Sequence, residues 1–318
     1  MCGVWHGRRD NCSVTAQPLQ VIALFGPTGV GKTGLAIALA ERLRARGEDP
    51  VALSADAFQL YRGLETLSGA PSAAERGRLE HLLVASHDIT EQMSAGRFAE
   101  EAHAAIDAAL ASGRRPIVIG GSGLYMQAVL TSLDMRPPLD EAMAARASQL
   151  AGADASERAR LLAGHSSEAA ELIDEGDGYR SGRAVALAEA GEEPSPGTGF
   201  WEAPRRHPTV LFGISRQREE LYARIEARVD QMVRDGAGEE VDRAIGSASA
   251  TARKVIGFDE LPAGETEAMK ARTRRYAKRQ LTWLRRMDCE GIVDLSRLTT
   301  DEAAATIAAA ATGTGTAE

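Results

Sequence analysis

Residues 26–33, GPTGVGKT, have the spacing G-x-x-x-x-G-K-[ST] of a phosphate-binding loop. Small residues allow backbone N–H groups to curl around phosphate oxygens, and the positive end of the following helix dipole faces the same oxygens. The lysine supplies a positive charge, and the threonine hydroxyl is a ligand for Mg²⁺. The pattern therefore predicts a diphosphate or triphosphate site formed by Gly26, Pro27, Thr28, Gly29, Val30, Gly31, Lys32 and Thr33, with Thr33 at the metal.

Asp56 is the acidic residue expected at this site. It ends the apolar segment 51–56 (VALSAD), which is typical of a buried strand, and the carboxyl ends of parallel strands meet at one edge of a sheet. ATPases with this loop carry an Asp on a second strand that helps to hold Mg²⁺, whereas the strand at 115–121 ends in two glycines here. We interpret Asp56 as a general base. A helix cap or a turn is the alternative interpretation.

Two further features carry donors for anionic groups. Ser122 lies in a Gly-Gly-Ser-Gly turn before a predicted helix, where it either caps the helix or donates to a phosphate or to the reacting group. Arg224 and Arg228 are four residues apart and share one helical face. They form either surface ion pairs or a clamp that stabilises negative charge on a leaving group.

A basic segment near the C-terminal end of the chain contrasts with the net charge of −8. Its apolar stripe is formed by Tyr276, Leu281 and Leu284, which leaves the cations on its flanks. The segment is either a solvated helix face or a contact for a polyanion. Between residues 270 and 286 it has eight cations and no acidic residue: Lys270, Arg272, Arg274, Arg275, Lys278, Arg279, Arg285 and Arg286.

An α/β core must position these motifs. Short apolar runs alternate with helical patterns, which indicates a parallel sheet with helices on both faces. Strands are predicted at 19–25, 51–56, 115–121, 209–215 and 291–296, and helices at 33–47, 98–113, 217–235 and 266–287.

The domain organisation follows from a change in composition. Residues 137–190 are rich in Ala, Glu and Arg and are predicted to form an inserted helical domain. The insertion divides the core into residues 19–136 and 191–298, the second of which carries the basic helix. Residues 1–18 and the low-complexity residues 299–318 are predicted to be flexible tails.

Composition excludes several classes of protein. With 318 residues, 44% of them hydrophobic and 26% charged, the chain is an ordinary globular protein. No apolar run reaches the ~20 residues of a membrane helix, and the N-terminus lacks the hydrophobic stretch of a signal peptide. Three cysteines, Cys2, Cys12 and Cys289, do not form a disulfide framework, which fits a reducing compartment. We expect a cytoplasmic protein with no membrane partner and no obligate protein partner.

Taken together, the motifs resemble the tRNA dimethylallyltransferase (tRNA isopentenyltransferase) family. The combination of GGSGLY, VIGFDEL and AKRQLTWLRR is far more specific than the phosphate loop alone. The matching pieces, in family order over roughly residues 20–290, are GPTGVGKT, SADAFQLYRGLE, SAGRFAEEA, GGSGLY, DGYRSGRAV, LYARIEARVDQMVRDG, KVIGFDEL and YAKRQLTWLRR.

The resemblance implies transfer of a dimethylallyl group from its diphosphate to N6 of an adenosine beside the anticodon of tRNA. It implies that Asp56 accepts the N6 proton. The phosphate loop would hold the diphosphate of the donor in place of ATP, and Lys32, Thr33 with Mg²⁺, Ser122 and an arginine of the 224/228 pair would neutralise it. The insertion would grip the RNA. Further residues implied to contact the acceptor RNA are Ala57, Phe58, Gln59, Arg146, Arg180, Arg183, Arg275, Lys278 and Arg279.

The chain departs from the family pattern in the loops that face the acceptor. The family has Ser at Ala57, Lys at Ala70, Thr at Ser122, His at Glu80 and an acidic residue near Val84. These differences leave the acceptor open. The alternatives are tRNA, a free adenine nucleotide or another small acceptor. An ATP-dependent small-molecule kinase and a non-catalytic RNA-binding relative are further alternatives.

Overall fold

The computed structural model describes residues 19–133, 139–174, 176–194 and 200–311. The predicted tail at 1–18 lies outside the described residues, as does the end of the second predicted tail, 312–318. Within the described residues, no helix has the length and apolar character needed to cross a membrane.

The predicted α/β fold with a parallel sheet is confirmed. In the described part of the chain, six parallel strands form one sheet in the order β3-β2-β4-β1-β5-β6. β1 lies between β4 and β5, and its last residue, Phe25, pairs with Gly120 and Gly213. The phosphate loop therefore leaves β1 beside the carboxyl ends of its neighbours. The strands are β1 (Val21–Phe25), β2 (Asp49–Ala55), β3 (His81–Leu82), β4 (Arg114–Gly120), β5 (Thr209–Ser215) and β6 (Gly291–Asp294).

Helices cover both faces of the sheet, because alternate residues of each strand point to opposite sides. Val21, Ala23 and Phe25 of β1 pack into one apolar cluster, while Ile22 and Leu24 pack into a second. The helices are α1 (Lys32–Arg44), α2 (Glu65–Ser68), α3 (Ala73–Arg78), α4 (Ala95–Ala111), α5 (Gly123–Leu130), α6 (Glu141–Ala151), α7 (Ala155–His165), α8 (Ser167–Leu172), α9 (Gly178–Glu189), α10 (Arg218–Arg234), α11 (Ala237–Ala244), α12 (Thr266–Leu284) and α13 (Thr300–Ala310).

The segment predicted as an insertion contains α6 to α9, which share a small apolar cluster of their own. Each helix begins at a side-chain cap. Asp140, Asp154, Ser166 and Asp177 accept hydrogen bonds from backbone N–H groups in the first turns of the four helices, as short polar side chains do at these positions. The segment therefore has its own helix-capping residues and its own apolar core.

The prediction of a flexible tail from residue 299 is wrong for residues 300–310. These residues form α13, which begins at a capping box between Thr299 and Glu302 and packs on α1. Ile307 and three alanines of α13 are fully buried. The low-complexity composition explains the error, since small side chains that look uninformative in a sequence allow two helices to approach closely.

Candidate active site

A cavity of about 990 Å³ opens at the carboxyl ends of the strands. Its wall combines the phosphate loop, the end of β2, α10 and the segment around α2. Residues of the wall that carry chemistry include Thr28, Lys32, Thr33, Asp56, Gln59, Arg216, Arg224, Arg228 and Gln280.

Cationic side chains hold the phosphate loop through its carbonyl oxygens. The Lys32 ammonium donates to the carbonyl oxygens of Gly26 and Pro27, both at 2.9 Å. Arg224 Nε donates to the carbonyl oxygen of Gly29 at 2.9 Å, and Arg216 Nε donates to that of Val30 at 3.3 Å. Three positive charges therefore converge on one small loop, which suits an anionic ligand.

The loop also depends on a contact from the far end of the chain. The backbone N–H of Thr28 donates to Gln280 Oε1 at 2.8 Å, and Gln280 on α12 is only 2% exposed. The space is narrow: a Cβ atom on Gly121 would lie 2.3 Å from Gln280 Nε2. Gly121 therefore allows α12 to reach the loop.

Asp56 lines the same cavity, where the charges of Lys32 and Arg228 act on it. Its Oδ1 accepts a hydrogen bond from the backbone N–H of Phe58 at 3.0 Å. Burial raises the pKa of Asp56, and the Phe58 N–H group and the charges of Lys32 and Arg228 oppose that rise. Burial lowers the pKa of Lys32 to about 8, with Asp56 opposing the shift. The site thus holds a carboxylate more basic than usual beside an ammonium group more acidic than usual.

The segment after α2 forms part of the wall of the larger cavity. The carbonyl oxygen of Gly69 accepts from Arg228 Nη2 at 2.7 Å and from Gln59 Nε2 at 3.3 Å. Gly69 has a φ of +61°, which favours glycine, and a Cβ atom there would lie 1.8 Å from Arg228 Nη2, so any larger residue would displace the Arg228 side chain. Arg228 is therefore fixed between the segment and Asp56.

A smaller cavity of about 50 Å³ adjoins the first. The two share Thr28, Asp56 and Arg228, but the second is mostly apolar. Phe58 lines it, with its ring 6.2 Å from that of Tyr276. Its other wall residues include Leu67, Ile225, Val229, Met232, Val255, Ile256, Met269 and Tyr276. An elongated ligand with an anionic end and an apolar end fits the pair of cavities, with Asp56 at their junction.

Several of the predicted site residues lie outside these walls, among them Gly26, Pro27 and Val30 of the phosphate loop. In the described part of the chain, neither Ser122 nor Ala57 lines either cavity. Ser122 stands at the start of α5 and its carbonyl oxygen accepts the Met126 N–H at 2.9 Å. Its side chain makes no capping hydrogen bond, and donation by its hydroxyl to a phosphate stays a prediction.

The cations of α12 divide into two groups. Lys270, Arg272 and Arg274 form ion pairs with Asp230, Glu260 and Glu226 of neighbouring elements. These three side chains are half-buried and already paired, so they are neither a solvated face nor a free contact for a polyanion. By contrast, Arg275, Lys278 and Arg279 are exposed and make no ion pair within the described residues. The Arg279 guanidinium lies 5.6 Å from the centre of the Tyr276 ring, which connects this surface to the apolar cavity.

The candidate RNA-contacting residues of the insertion differ in exposure and in whether an ion pair holds them. Arg180 is exposed at the start of α9, next to Tyr179, whose side chain is 70% exposed. Arg183 is half-buried one turn later on the same helix. Arg146 is held by Glu189 in an ion pair of 2.8 Å.

Comparison with known proteins identifies the family. Residues 59–287 match the family model of IPP transferase. The chain is 40% identical over 286 residues to a tRNA dimethylallyltransferase of Sorangium cellulosum, covering 84% of this chain and 88% of that protein. The chain belongs to the IPP transferase family. A second tRNA dimethylallyltransferase, from Clavibacter sepedonicus, is 36% identical, covering 84% of this chain and 90% of its own length.

Solved structures of IPP transferases have the same fold. The full-length tRNA isopentenylpyrophosphate transferase of Bacillus halodurans aligns with a TM-score of 0.66 at 27% identity, covering 92% of this chain and 95% of its own. A eukaryotic dimethylallyltransferase acting on tRNA aligns with a TM-score of 0.70 at 25% identity, covering 86% and 73% of the two chains. The predicted resemblance to this family is confirmed.

The departures from the family pattern lie on the cavity wall and beside it. Ala70 lines the larger cavity, and Val84 lies in a bend after β3. Glu80 is exposed and pairs with Arg114 at 2.7 Å, while the next residue, His81, lines the larger cavity. His81 Nδ1 donates to the carbonyl oxygen of Leu79 at 2.6 Å, and burial lowers the pKa of its ring. The cation that the family pattern has at Ala70 is thus absent, and Arg228 is the nearby cation that contacts this segment.

Sequence reasoning missed Arg216, Gln280 and α2 itself as parts of the site, although it placed Ala70 in a loop that faces the acceptor. Arg216 directly follows a predicted strand, and this position would have indicated that it lies at the same edge of the sheet as the phosphate loop. Gln280 lies within the AKRQLTWLRR motif, but its partner Thr28 is 252 residues away. Nothing local to either residue indicates that contact.

Proposed function

We propose that this IPP transferase family member transfers a dimethylallyl group from dimethylallyl diphosphate to N6 of an adenosine next to the anticodon of tRNA, with release of diphosphate. The observation that carries the proposal is the position of Asp56 where the cationic cavity meets the apolar one. Membership of a family whose curated relatives are tRNA dimethylallyltransferases supports tRNA as the acceptor.

The two cavities suit the two ends of the donor. Lys32, Arg224 and Arg228 supply positive charge where the diphosphate would lie, and the N-terminus of α1 adds its dipole. The apolar cavity would take the prenyl group. During transfer the bond between the prenyl carbon and the diphosphate oxygen breaks, so negative charge grows on the leaving group. Fixed cations stabilise that charge without reorganising.

Asp56 would act on the acceptor. The new carbon–nitrogen bond leaves one proton too many on N6 of adenosine, and the Asp56 carboxylate accepts that proton. Its raised pKa strengthens it as a base compared with an ordinary carboxylate. The adenine must leave its stack to reach Asp56, since the carboxylate lies inside the cavity wall.

Mg²⁺ fits the site as a partner of the diphosphate. In the described residues, no group of three or more His, Cys, Asp or Glu side chains is placed to hold a metal. Thr33, at the cavity wall, offers one hydroxyl. This donor set suits a cation that keeps several waters and binds mainly to phosphate oxygens. When bound, Mg²⁺ would neutralise charge on the leaving diphosphate.

The exposed part of α12 would contact the RNA. Arg275, Lys278 and Arg279 are free of ion pairs within the described residues, and Arg279 stacks near Tyr276 of the apolar cavity. Phosphates of an anticodon stem-loop would meet these side chains, and Arg180 of the insertion would add to them.

A product assay tests the proposal. Dimethylallyl diphosphate and Mg²⁺ are supplied with unmodified tRNA, AMP or ATP in separate reactions, and mass spectrometry detects an added prenyl group. We expect prenylated adenosine in digested tRNA alone. Prenylated AMP or ATP together with unmodified tRNA would show that the acceptor is a small molecule and not RNA. Conversion of ATP to ADP without prenylation would indicate a kinase.

A further inference from the structure

Glu240 on α11 is a buried carboxylate that contacts neither cavity. It is 8% exposed, and its two oxygens accept from the backbone N–H groups of Thr66 at 2.9 Å and Leu67 at 2.8 Å. The N–H groups of a first helical turn have no partner within the helix, and a carboxylate is favourable there. Since α2 has only four residues, its position depends on contacts of this kind.

The other end of α2 reaches the site. Ser68 lines both cavities, and Gly69 and Ala70 line the larger one. The Gly69 carbonyl oxygen is the main-chain partner of Arg228 at 2.7 Å. A carboxylate at the start of α2 is therefore joined through one helical turn to the guanidinium beside Asp56.

We propose that Glu240 is a positioning residue for the donor: through α2 it holds the Gly69 carbonyl, and with it Arg228, against the cavity that takes the diphosphate. The inference rests on the proposed function, because it assigns Arg228 to the donor. Loss of the Glu240 contacts would let α2 shift, and the Arg228 guanidinium would lose its fixed direction. Preorganised donors lose much of their effect when they must be oriented during binding.

The proposal predicts that donor binding changes and RNA binding does not. Glu240→Gln keeps the size of the side chain but turns one acceptor into an amide donor that faces a backbone N–H. Glu239→Gln is the matched control, because Glu239 is the exposed neighbour on the same helix. Gly69→Ala tests the other end of α2, where the new methyl group would collide with Arg228.

Titration calorimetry with dimethylallyl diphosphate and, separately, with an anticodon stem-loop RNA decides the matter. For Glu240→Gln and Gly69→Ala we expect about tenfold weaker donor binding with RNA affinity unchanged, and Glu239→Gln should match wild type. The double variant should be no weaker than the weaker single variant, because both substitutions disturb one element. Steady-state kinetics should show a raised donor KM with the RNA KM unchanged.

Two results would overturn the proposal. The first is donor binding by Glu240→Gln equal to that of Glu239→Gln. The second is an equal loss of donor and RNA affinity, which would mean that Glu240 only stabilises the fold. The failure of the proposed function has a different signature, because it appears in the wild-type product assay. A wild type that binds the donor but prenylates no RNA leaves the calorimetric comparison intact.

Discussion

The diphosphate side and the RNA-facing side of the molecule use cations in opposite ways. Around the phosphate loop, Lys32, Arg224 and Arg228 donate to main-chain carbonyl oxygens, so their directions are fixed before any ligand binds. On α12, Arg275 and Lys278 extend into solvent with no ion pair in the described residues.

The difference matches what each side must recognise. A small anion that becomes more negative during reaction is best stabilised by donors held in place. A polymeric, mobile RNA is met by long side chains that adapt, at an affinity that depends on salt. The chain therefore uses separate surfaces for diphosphate stabilisation and for RNA binding. Variants of one surface should lose one of these properties and keep the other.

Replacement of the base should have the largest effect. Asp56→Asn keeps an acceptor for the Phe58 N–H but cannot take a proton, so we expect kcat to fall about 10³-fold. Donor affinity should stay the same or rise, because a negative charge leaves the neighbourhood of the diphosphate. Single-turnover rates and calorimetry measure the two quantities. Asp242→Asn, at an exposed position of α11, is the control. Near-normal turnover by Asp56→Asn would refute the base assignment.

Loss of the loop lysine should weaken the donor side alone. Lys32→Met removes the charge and the two hydrogen bonds to the loop carbonyls, and we expect 10- to 100-fold weaker binding of dimethylallyl diphosphate. RNA affinity should stay at the wild-type value. Calorimetry with each ligand checks both, with exposed Lys254→Met as the control. Weaker RNA binding by Lys32→Met would contradict the separation of the two sides.

Neutralisation on α12 should weaken the RNA side alone. Arg275→Gln together with Arg279→Gln should lower RNA affinity about tenfold at ~0.15 M salt and reduce the salt slope by about 1–2. Arg274→Gln is the matched comparison, because Arg274 is next to Arg275 in sequence but is already paired with Glu226. Fluorescence anisotropy across a salt series measures the slope. An unchanged salt slope in the double variant would show that α12 does not contact RNA phosphates.

The pH profile should show the smallest effect. Asp56 must be ionised, so kcat/KM for the donor falls as pH drops through its raised pKa. Lys32 must be charged, so the same parameter falls as pH rises through about 8. We expect about a twofold loss at that pH and about tenfold for each further unit. The residual activity of Lys32→Met should lack the alkaline limb; its persistence would assign the limb to another group.

The sequence predicted best what local pattern decides. The phosphate loop, the sheet class and the long helices each depend on spacing within one segment, and the structure has them near the predicted bounds. Elements as short as β3 and α2 carry too little periodicity to be recognised. The predicted tail was wrong at α13 for a related reason, since its alanines gain a role only when α1 is beside them.

The residues that sequence reasoning missed share one property. Gln280 meets Thr28 and Glu240 meets Thr66 across long stretches of chain, and neither pair has a spacing that marks it. Arg228 was predicted from its helical face, but its partner Gly69 was not. Local spacing predicts which side chains carry the chemistry. Which residues hold those side chains in position depends on tertiary packing, which local spacing does not show.

The cover that α13 places on α1 has a consequence for how the chain matures on the ribosome. The helix that carries Lys32 is synthesised early. Part of its apolar surface is covered only by residues 300–311, which are synthesised much later. A nascent chain stopped before α13 would already carry the phosphate loop and Asp56, but with an open apolar face on α1. Exposed apolar surface of this kind makes an incompletely folded chain prone to aggregate. Residues 300–311 therefore complete the apolar packing of the helix that carries Lys32.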